Sequence, residues 1–319
     1  MERAARILVQ GGLVAFPTET VYGLGADARS APAVDRIFQA KGRPRGHPLI
    51  IHLPPGTPLE DWLEADSDAA LALMEAFWPG PLTLIGRRGP RAIDAVTGGA
   101  TTVGIRIPSH PVAQALLLAF DSGVAAPSAN RFGSVSPTTA GHVQSDLGAS
   151  VDYILDGGAC PVGIESTIVD VSGPDPALLR PGGITRDALE AVLGKPLAAR
   201  TATPAPGTLP THYAPSAAVL PVSAEAALEA AARASPPVAI LAPRRVLDRL
   251  RLPPGVVAAP VPDDPAGMAR ELYRTLRELD DRRIATIVAV MPDSSGLGEA
   301  IADRLHRAAG PRTGSDGAP

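Results

Sequence analysis

Cysteine is almost missing from this chain: one residue, Cys160, among 319. A single thiol excludes an internal disulfide framework and a metal site built on several cysteines, and it reads as a small buried residue. No run of about 18 or more apolar residues occurs, which excludes a membrane-spanning helix. The opening MERAARILVQGG carries Glu2, Arg3 and Arg6 and no long apolar core. It reads as a short amphipathic helix ended by Gly11-Gly12 rather than as a signal peptide, so a cytoplasmic location is expected. Internal repeats are missing too. So is a basic domain: the net charge is −4, residues 1–200 hold 16 Lys+Arg against 20 Asp+Glu, and the remainder holds 13 of each. Extended nucleic-acid binding is therefore not indicated by overall charge. Nor is there a G-x-S-x-G elbow, an H-E-x-x-H helix, a P-loop or a cysteine nucleophile with an evident partner.

What is present is a soluble composition, 45% hydrophobic and 19% charged, long enough for one large domain or two ordinary ones. Helices are expected at 2–10, from a Ser30 cap with Pro32 in the first turn to about 40, at 67–78, 110–120, 138–147 and 185–193. Strands are expected at 13–16, 49–53, 82–88, 101–107, 123–130, 151–155 and 166–171, with ALLRPGG following. This mixture implies an α/β domain. A break falls at RTATPAPGTLPTHYAP, whose four prolines, four threonines and one glycine suit an extended linker. Beyond it, AAVLPV, PVAIL, GVVAAPV and ATIVAVMP each precede a helical stretch, four βα units in a row, as in a small parallel sheet. The expected division is 1–199, a linker at 200–216, a second domain at 217–310 and a disordered tail at 311–319.

Several strand ends and loops carry groups suited to chemistry. AFPTETVYGLGADA sets Thr18, Glu19 and Thr20 directly after an apolar strand, and its small residues read as a tight turn. KGRPRGHPLIIH places Lys41, Arg43 and Arg45 at alternate positions, with His47 and His52 following. All charges from Arg36 to Arg45 are positive, a pattern for a polyphosphate or carboxylate or simply for a solvated loop. Arg106 stands in an otherwise apolar strand, where it needs an ion pair or a ligand. APSANRFGSVSPTT offers hydroxyls and backbone N–H groups to phosphate or ribose, or forms ordinary turns. Glu165, Ser166 and Arg180 lie at strand ends, where surface roles are the default for each alone. The set is rich in anion-binding donors and poor in nucleophile–base pairs. Chemistry by positioning and charge neutralisation fits it better than covalent catalysis.

Taken in order, PTETVYGLGADA, KGRPRGHPL, WPGPLT, VGIRIP, APSAN with SPTT, ESTIVDV and LRPGG resemble the YrdC-like family over residues 1 to about 195. With THYAP and the second α/β unit, the chain resembles the longer, two-domain L-threonylcarbamoyladenylate synthases. That resemblance implies a twisted, open mixed sheet with helices around a concave, cation-lined cavity, followed by a smaller parallel α/β (Rossmann-like) domain. It implies condensation of L-threonine, bicarbonate and ATP to threonylcarbamoyl-AMP and pyrophosphate, with other proteins passing the product to an adenosine beside the tRNA anticodon. By the same resemblance Thr20, His52, Arg106, Ser166 and the backbone at Ala126 would hold threonine. Arg43, His47, Thr102, Ser128, Asn130, Ser136 and Arg180, with His212 and Tyr213 of the linker, would hold the nucleotide. Lys41 and Arg43 would stand near the phosphates as catalytic groups, and Glu19 would either orient a cation or serve the structure. Mg²⁺ would accompany ATP without a protein cage.

The main rival is a module that grips double-stranded RNA or tRNA through the same cations; net charge speaks against it. A second is a carbamoyl-transfer protein of hydrogenase maturation, whose expected upstream acylphosphatase-like and zinc-finger segments do not suit a chain with one cysteine. In the C-terminal unit PDSSGLGEAIADRL could bind an anion but reads as an ordinary βα turn. The expected role of that unit is to anchor the linker as a lid.

Overall fold

The structure is a computed structural model, and it describes residues 1–64, 67–198, 202–207 and 213–310. The strands in chain order are β1 (Val14–Pro17), β2 (Tyr22–Asp27), β3 (Ile50–His52), β4 (Leu63–Glu64), β5 (Leu82–Arg88), β6 (Thr102–Arg106), β7 (Val124–Ala125), β8 (Tyr153–Ile154), β9 (Thr167–Asp170) and β10 (Ala177–Arg180) in the first unit. In the second they are β11 (Ala218–Val222), β12 (Val238–Pro243), β13 (Val257–Val261) and β14 (Thr286–Val290).

The first ten form one mixed sheet in the order β10-β9-β5-β6-β3-β7-β2-β1-β8, with β4 on β5. Three pairs are parallel (β3–β6, β5–β9, β1–β8) and the rest antiparallel, among them β3–β7, β7–β2 and β2–β1 in succession. The second sheet is wholly parallel in the order β11-β14-β12-β13, as four successive βα units require.

The helices start where the caps direct. Ser30 Oγ accepts from Ala33 N ahead of the helix Ala31–Lys41, and Gly42 ends it at φ +62°, the left-handed conformation that glycine tolerates best. Ser67, Thr139 and Thr185 cap their helices in the same way.

Two expectations need correction. YGLGAD is no turn but the buried strand β2, paired antiparallel with β1 so that Phe16 faces Gly23. A Cβ at Gly25 would meet Val124 Cγ1 at 2.7 Å and Phe16 Cε1 at 2.8 Å, so the glycine makes room for the Phe16 ring. The strand expected over 123–130 pairs regularly only at Val124–Ala125 and then leaves the sheet as a loop. The tail 311–319 lies outside the described residues.

The two units share a core. Val21, Val135, Ile164 and Tyr213 pack in one buried cluster with Met268, Leu272, Tyr273 and Leu276 of the helix Pro265–Asp281. Arg277 of that helix holds Asp146 through two bonds and also the Val135 carbonyl. A Cβ at Gly163 (φ +83°) would lie 2.4 Å from Arg270 Cα, so this helix approaches the N-terminal unit as closely as glycine permits. Linker residue Ala205 packs on Ile50, Ile85, Ile168 and Leu179 of the large sheet, and Thr203 Oγ1 donates to Asp170 Oδ2 at 2.5 Å.

Candidate active site

Strand ends β1, β3, β6, β9 and β10 converge on a narrow cavity of ≈ 60 Å³, tighter than the range of about 300–1,000 Å³ usual for small-molecule sites. Its wall includes Thr18, Thr20, Arg43, His52, Arg106, Ala126, Ser128, Glu165, Ser166, Arg180 and Tyr213, with Pro206 and Gly207 of the linker.

The central feature is a buried ion pair. Arg106 ends β6 beside His52 of β3, its register partner. Arg106 donates from Nη1 to Thr20 Oγ1 at 2.9 Å and from Nε to the Gly80 carbonyl at 3.2 Å. Its Nη2 lies 2.8 Å from Glu19 Oε1. That contact is an ion pair by distance, but the N–H is not aligned on the oxygen, so both atoms lack a true hydrogen bond. The other Glu19 oxygen accepts from Ser109 N. Burial raises the Glu19 carboxyl, yet Arg106 outweighs it and holds the group below its ordinary value. Glu19 is therefore the partner of a cation, one of its two expected roles.

His52 is wholly enclosed. Burial, and after it the charge of Arg106, push it down to about 3, so it is neutral near pH 7. Its Nδ1 has no partner and its ring stands edge-on to Phe16 at 6.0 Å. Ala126 has already donated its N–H to the Ile50 carbonyl, which leaves only its carbonyl for a ligand.

Around Arg180 lies a second group. Nε and Nη2 donate to the Ser166 carbonyl at 3.1 and 2.8 Å, Nη2 also reaches Ser166 Oγ at 3.1 Å, and Nη1 donates to the Pro206 carbonyl at 3.0 Å. Ser166 Oγ lies 2.8 Å from Thr83 Oγ1. Tyr213, at φ +61°, brings its hydroxyl 3.5 Å from Arg180 Nη1. Arg43 faces the cavity, with its guanidinium 5.5 Å from the Phe132 ring and Nη2 on the Pro48 carbonyl. Burial lowers it to about 10, so it stays charged near pH 7.

Other expected residues lie off the wall. Lys41 is buried, and Nζ donates to the Ser128 and Asn130 carbonyls at 2.6 and 2.5 Å. Burial, then Arg43, depress its ammonium strongly. It ties down the loop that presents Ser128 instead of facing the cavity, where the sequence reading had set it beside the phosphates. Asn130 serves the same loop, donating to the Arg131 and Ser134 carbonyls while its Oδ1 accepts from Ser128 Oγ. Ser136 is enclosed and donates to Glu165 Oε1 at 2.6 Å. His47 packs against Phe132 at 5.8 Å beside Arg43. Thr102 starts β6 opposite Arg87, on the sheet face of Arg106 but about 13 Å along the strand. His212 lies outside the described residues.

Glu165, expected by default at the surface, is buried and on the cavity wall. No local pattern pointed to its partners Tyr273 and Arg304, which come from the second unit. The basic run is no open patch either: Arg36 pairs with Asp152 and Arg45 with Asp35, while Lys41 and Arg43 are buried.

Known proteins match both units of the chain. Residues 6–182 match the Sua5/YciO/YrdC family model, described as telomere recombination. Residues 184–310 match the model described as threonylcarbamoyl-AMP synthase, C-terminal domain. The threonylcarbamoyl-AMP synthase of Bacillus subtilis is 39% identical, over 97% of this chain and 93% of its own length. That of Halorhodospira halophila is 36% identical over 49% of this chain and 82% of its own. The crystal structure of Pyrococcus abyssi Sua5 complexed with L-threonine superposes with a TM-score of 0.88 at 37% identity, covering 97% of this chain and 93% of that one.

Proposed function

The chain belongs to the Sua5/YciO/YrdC family in its two-domain form, and on that premise we propose that it joins L-threonine, bicarbonate and ATP into threonylcarbamoyl-AMP, releasing pyrophosphate and water. The product serves threonylcarbamoyladenosine modification of tRNA. The observation that carries this reading is one cavity walled by two arginine-centred groups, Arg106 with Thr20 and Arg180 with Ser166, and reached by Arg43 and the linker's Tyr213.

In this reading the amine of threonine attacks bicarbonate or carbon dioxide, and a carbamate forms. A carbamate oxygen then attacks the α-phosphorus of ATP, and pyrophosphate leaves in line. The protein supplies alignment, exclusion of water and fixed positive charge. Arg106 takes the threonine carboxylate; its Nη2, poorly aligned on Glu19, has a hydrogen bond to give. Thr20 and Ser166 supply hydroxyls, and the uncharged His52 adds no competing positive charge. Arg43 and Arg180 face the nucleotide with Ser128 and Tyr213. Lys41, Asn130 and Ser136 act one layer out, holding the loops that carry the contacts.

Mg²⁺ enters only as the companion of ATP. Glu19 and Glu165 are committed to arginines, and among the described residues no three His, Cys, Asp or Glu side chains converge as metal ligands. Phosphate and water oxygens would supply its shell, and no step here runs through it. No described helix is long and apolar enough to cross a membrane, and the reading places the protein in the cytoplasm with the transferases that consume its product. The second domain holds the linker over the cavity as a lid. The rival RNA grip has little to stand on, because the basic run is paired or buried.

The test is pyrophosphate release by the purified protein with threonine and bicarbonate each present or omitted. Release that needs both, with the mass of threonylcarbamoyl-AMP in the product, is the expected result. Arg43→Ala is expected to lower turnover at least about 100-fold, the scale of a lost donor to developing charge, with little change in melting temperature. Normal turnover by that variant would remove Arg43 from the role.

A further inference from the structure

Among the described residues no side chain of the C-terminal domain lies on the cavity wall, yet two of them end one residue away from it. The carboxylate of Glu165 is divided between the domains. Its Oε1 accepts from Ser136 Oγ at 2.6 Å. Its Oε2 accepts from Tyr273 Oη and from Arg304 Nε, each at 2.8 Å. Tyr273 belongs to the helix Pro265–Asp281 and Arg304 to the helix Leu297–Ala308. Arg304 also donates to the Pro181 carbonyl, next in the chain to Arg180, and sets its guanidinium 5.0 Å from the Tyr213 ring. Tyr213 in turn stacks on Tyr273 at 5.9 Å with the planes 27° apart.

Stability alone does not account for this cluster. A fully buried ion pair roughly offsets its own desolvation, and apolar side chains of the same volume often do as well. What the pair supplies is direction. Glu165 is fixed at both oxygens, and each oxygen answers to a different domain. Three groups of the nucleotide side thereby rest on the C-terminal domain: Ser136 through Glu165, Arg180 through Pro181, and Tyr213 by stacking. The threonine side depends on it far less. Thr20, Arg106 and Glu19 bond among themselves, and only Ser166, held by Thr83 as well as by Arg180, leads from it toward the C-terminal domain.

We propose that Tyr273 and Arg304 are positioning residues for the nucleotide half of the site, acting through Glu165 on Ser136 and through ring contact on Tyr213. The proposal rests on the synthase reading. It predicts that perturbing the second domain at these two residues weakens ATP selectively.

The experiment uses the full chain and two conservative variants. Tyr273→Phe keeps the ring and its stacking but removes one donor to Glu165. Arg304→Lys keeps the charge but loses the fork that reaches Glu165 and Pro181 together. ATP and L-threonine affinities are measured separately by calorimetry, beside melting temperature. Tyr273→Phe is expected to weaken ATP roughly threefold to tenfold, the scale of one ordinary hydrogen bond, since the loss reaches the nucleotide only through Glu165, and Arg304→Lys at least as much. Threonine affinity is expected to stay within about twofold in both. Adding Ser136→Ala to Tyr273→Phe is expected to cost less than the sum of the two, because both act through one carboxylate.

Folded Tyr273→Phe protein with wild-type ATP affinity would overturn the proposal, and so would equal losses for ATP and threonine. If Arg304→Lys does not fold, Tyr273→Phe alone decides. Wild-type protein that binds both ligands, beside an unaffected variant, removes only this proposal. Wild-type protein that binds neither removes the synthase reading with it.

Discussion

Glu19 and Glu165 are both buried and both paired with arginine, but they differ in what the pairing leaves over. Glu19 meets Arg106 without alignment, so a guanidinium N–H remains for a substrate carboxylate. Arg106→Lys would keep the charge and lose the fork. It is expected to raise the KM for threonine at least about tenfold, the factor of 1.4 kcal/mol, with the KM for ATP little changed, as steady-state pyrophosphate release would show. Glu165 has both oxygens satisfied. Burial pushes its carboxyl up, but Arg304 and Arg180, with the Ser136 bond, bring it down to about 2 against an ordinary 4.5. A carboxylate lowered on folding stabilises fully above its unfolded pKa, and that contribution fades as pH falls towards the folded one. The window for Glu165 is therefore pH 4.5 down to about 2, and the loss across it is about 3 kcal/mol. The neutral His52 follows the same sign in a higher window, from its ordinary 6.5 down to about 3, because the unfolded chain takes up the proton first. Urea unfolding from pH 7 to 3 should show stability falling from about pH 6.5 downward. Glu165→Gln should be less stable at pH 7, since buried Arg304 loses one of its two counter-charges and keeps only Asp303, but should lose less between pH 4.5 and 3. An equal acid slope in both proteins would mean that Glu165 is not the titrating group.

At the scale of elements, the strand pair β1–β2 sets the geometry on which the threonine side depends. Phe16 crosses to Gly23 in register, fills the space over Gly25 and stands edge-on to His52. Gly25→Ala puts a methyl 2.7–2.8 Å from Val124 and Phe16. It is expected to cost about 1–3 kcal/mol, as overpacking does, and to weaken threonine binding by pushing the Phe16 ring against His52. Thermal melting and threonine calorimetry on the variant would check both; an unchanged threonine affinity would separate Phe16 from the site. The same strand shows where sequence reading stops. Ser30 announced its helix because a cap is a local hydrogen bond between residues three apart. The parallel C-terminal sheet was equally readable, since apolar runs followed by helices recur four times. YGLGAD was not, because glycine hides the period of a strand, and its reason for being glycine is a ring on the neighbouring strand. The candidate site divides in the same way. Arg106 and the hydroxyl loops stood out as charges and polar clusters in apolar surroundings. Lys41 looked like one cation among several, and only the fold shows its ammonium spent on two carbonyls. Glu165 was read as a surface residue because its partner Arg304 lies 139 positions away, beyond any local pattern.

Taken whole, the molecule joins two sheets through a core that neither unit completes alone. Tyr213 of the linker, Ile164 and Val21 of the first unit and Leu272 and Leu276 of the second are buried in one cluster. Polar contacts fix the angle between the units: Arg186 with Glu299, Arg270 with the Pro161 carbonyl, Arg277 with Asp146 and Val135. An interface of this kind behaves like the inside of a domain, and ordinary inter-domain surfaces are more polar and looser. The chain is therefore expected to melt in a single calorimetric transition although it holds two sheets. Arg277 is the residue on which to press that expectation. Its two bonds to Asp146, at 2.9 and 2.6 Å, are largely shielded from solvent, and removing it strands the carboxylate and the Val135 carbonyl together. Arg277→Ala should cost about 2 kcal/mol, the scale of lost charge-assisted bonds, and lower the melting temperature by a few degrees while the transition stays single. The shared apolar core remains in that variant, so the units should still unfold together. Two resolved transitions in the wild-type protein would show instead that the apolar cluster does not bind the units into one cooperative whole. The second domain would then be a tethered neighbour, and the hold of Tyr273 and Arg304 on Glu165 would have to survive inter-domain motion to matter for ATP.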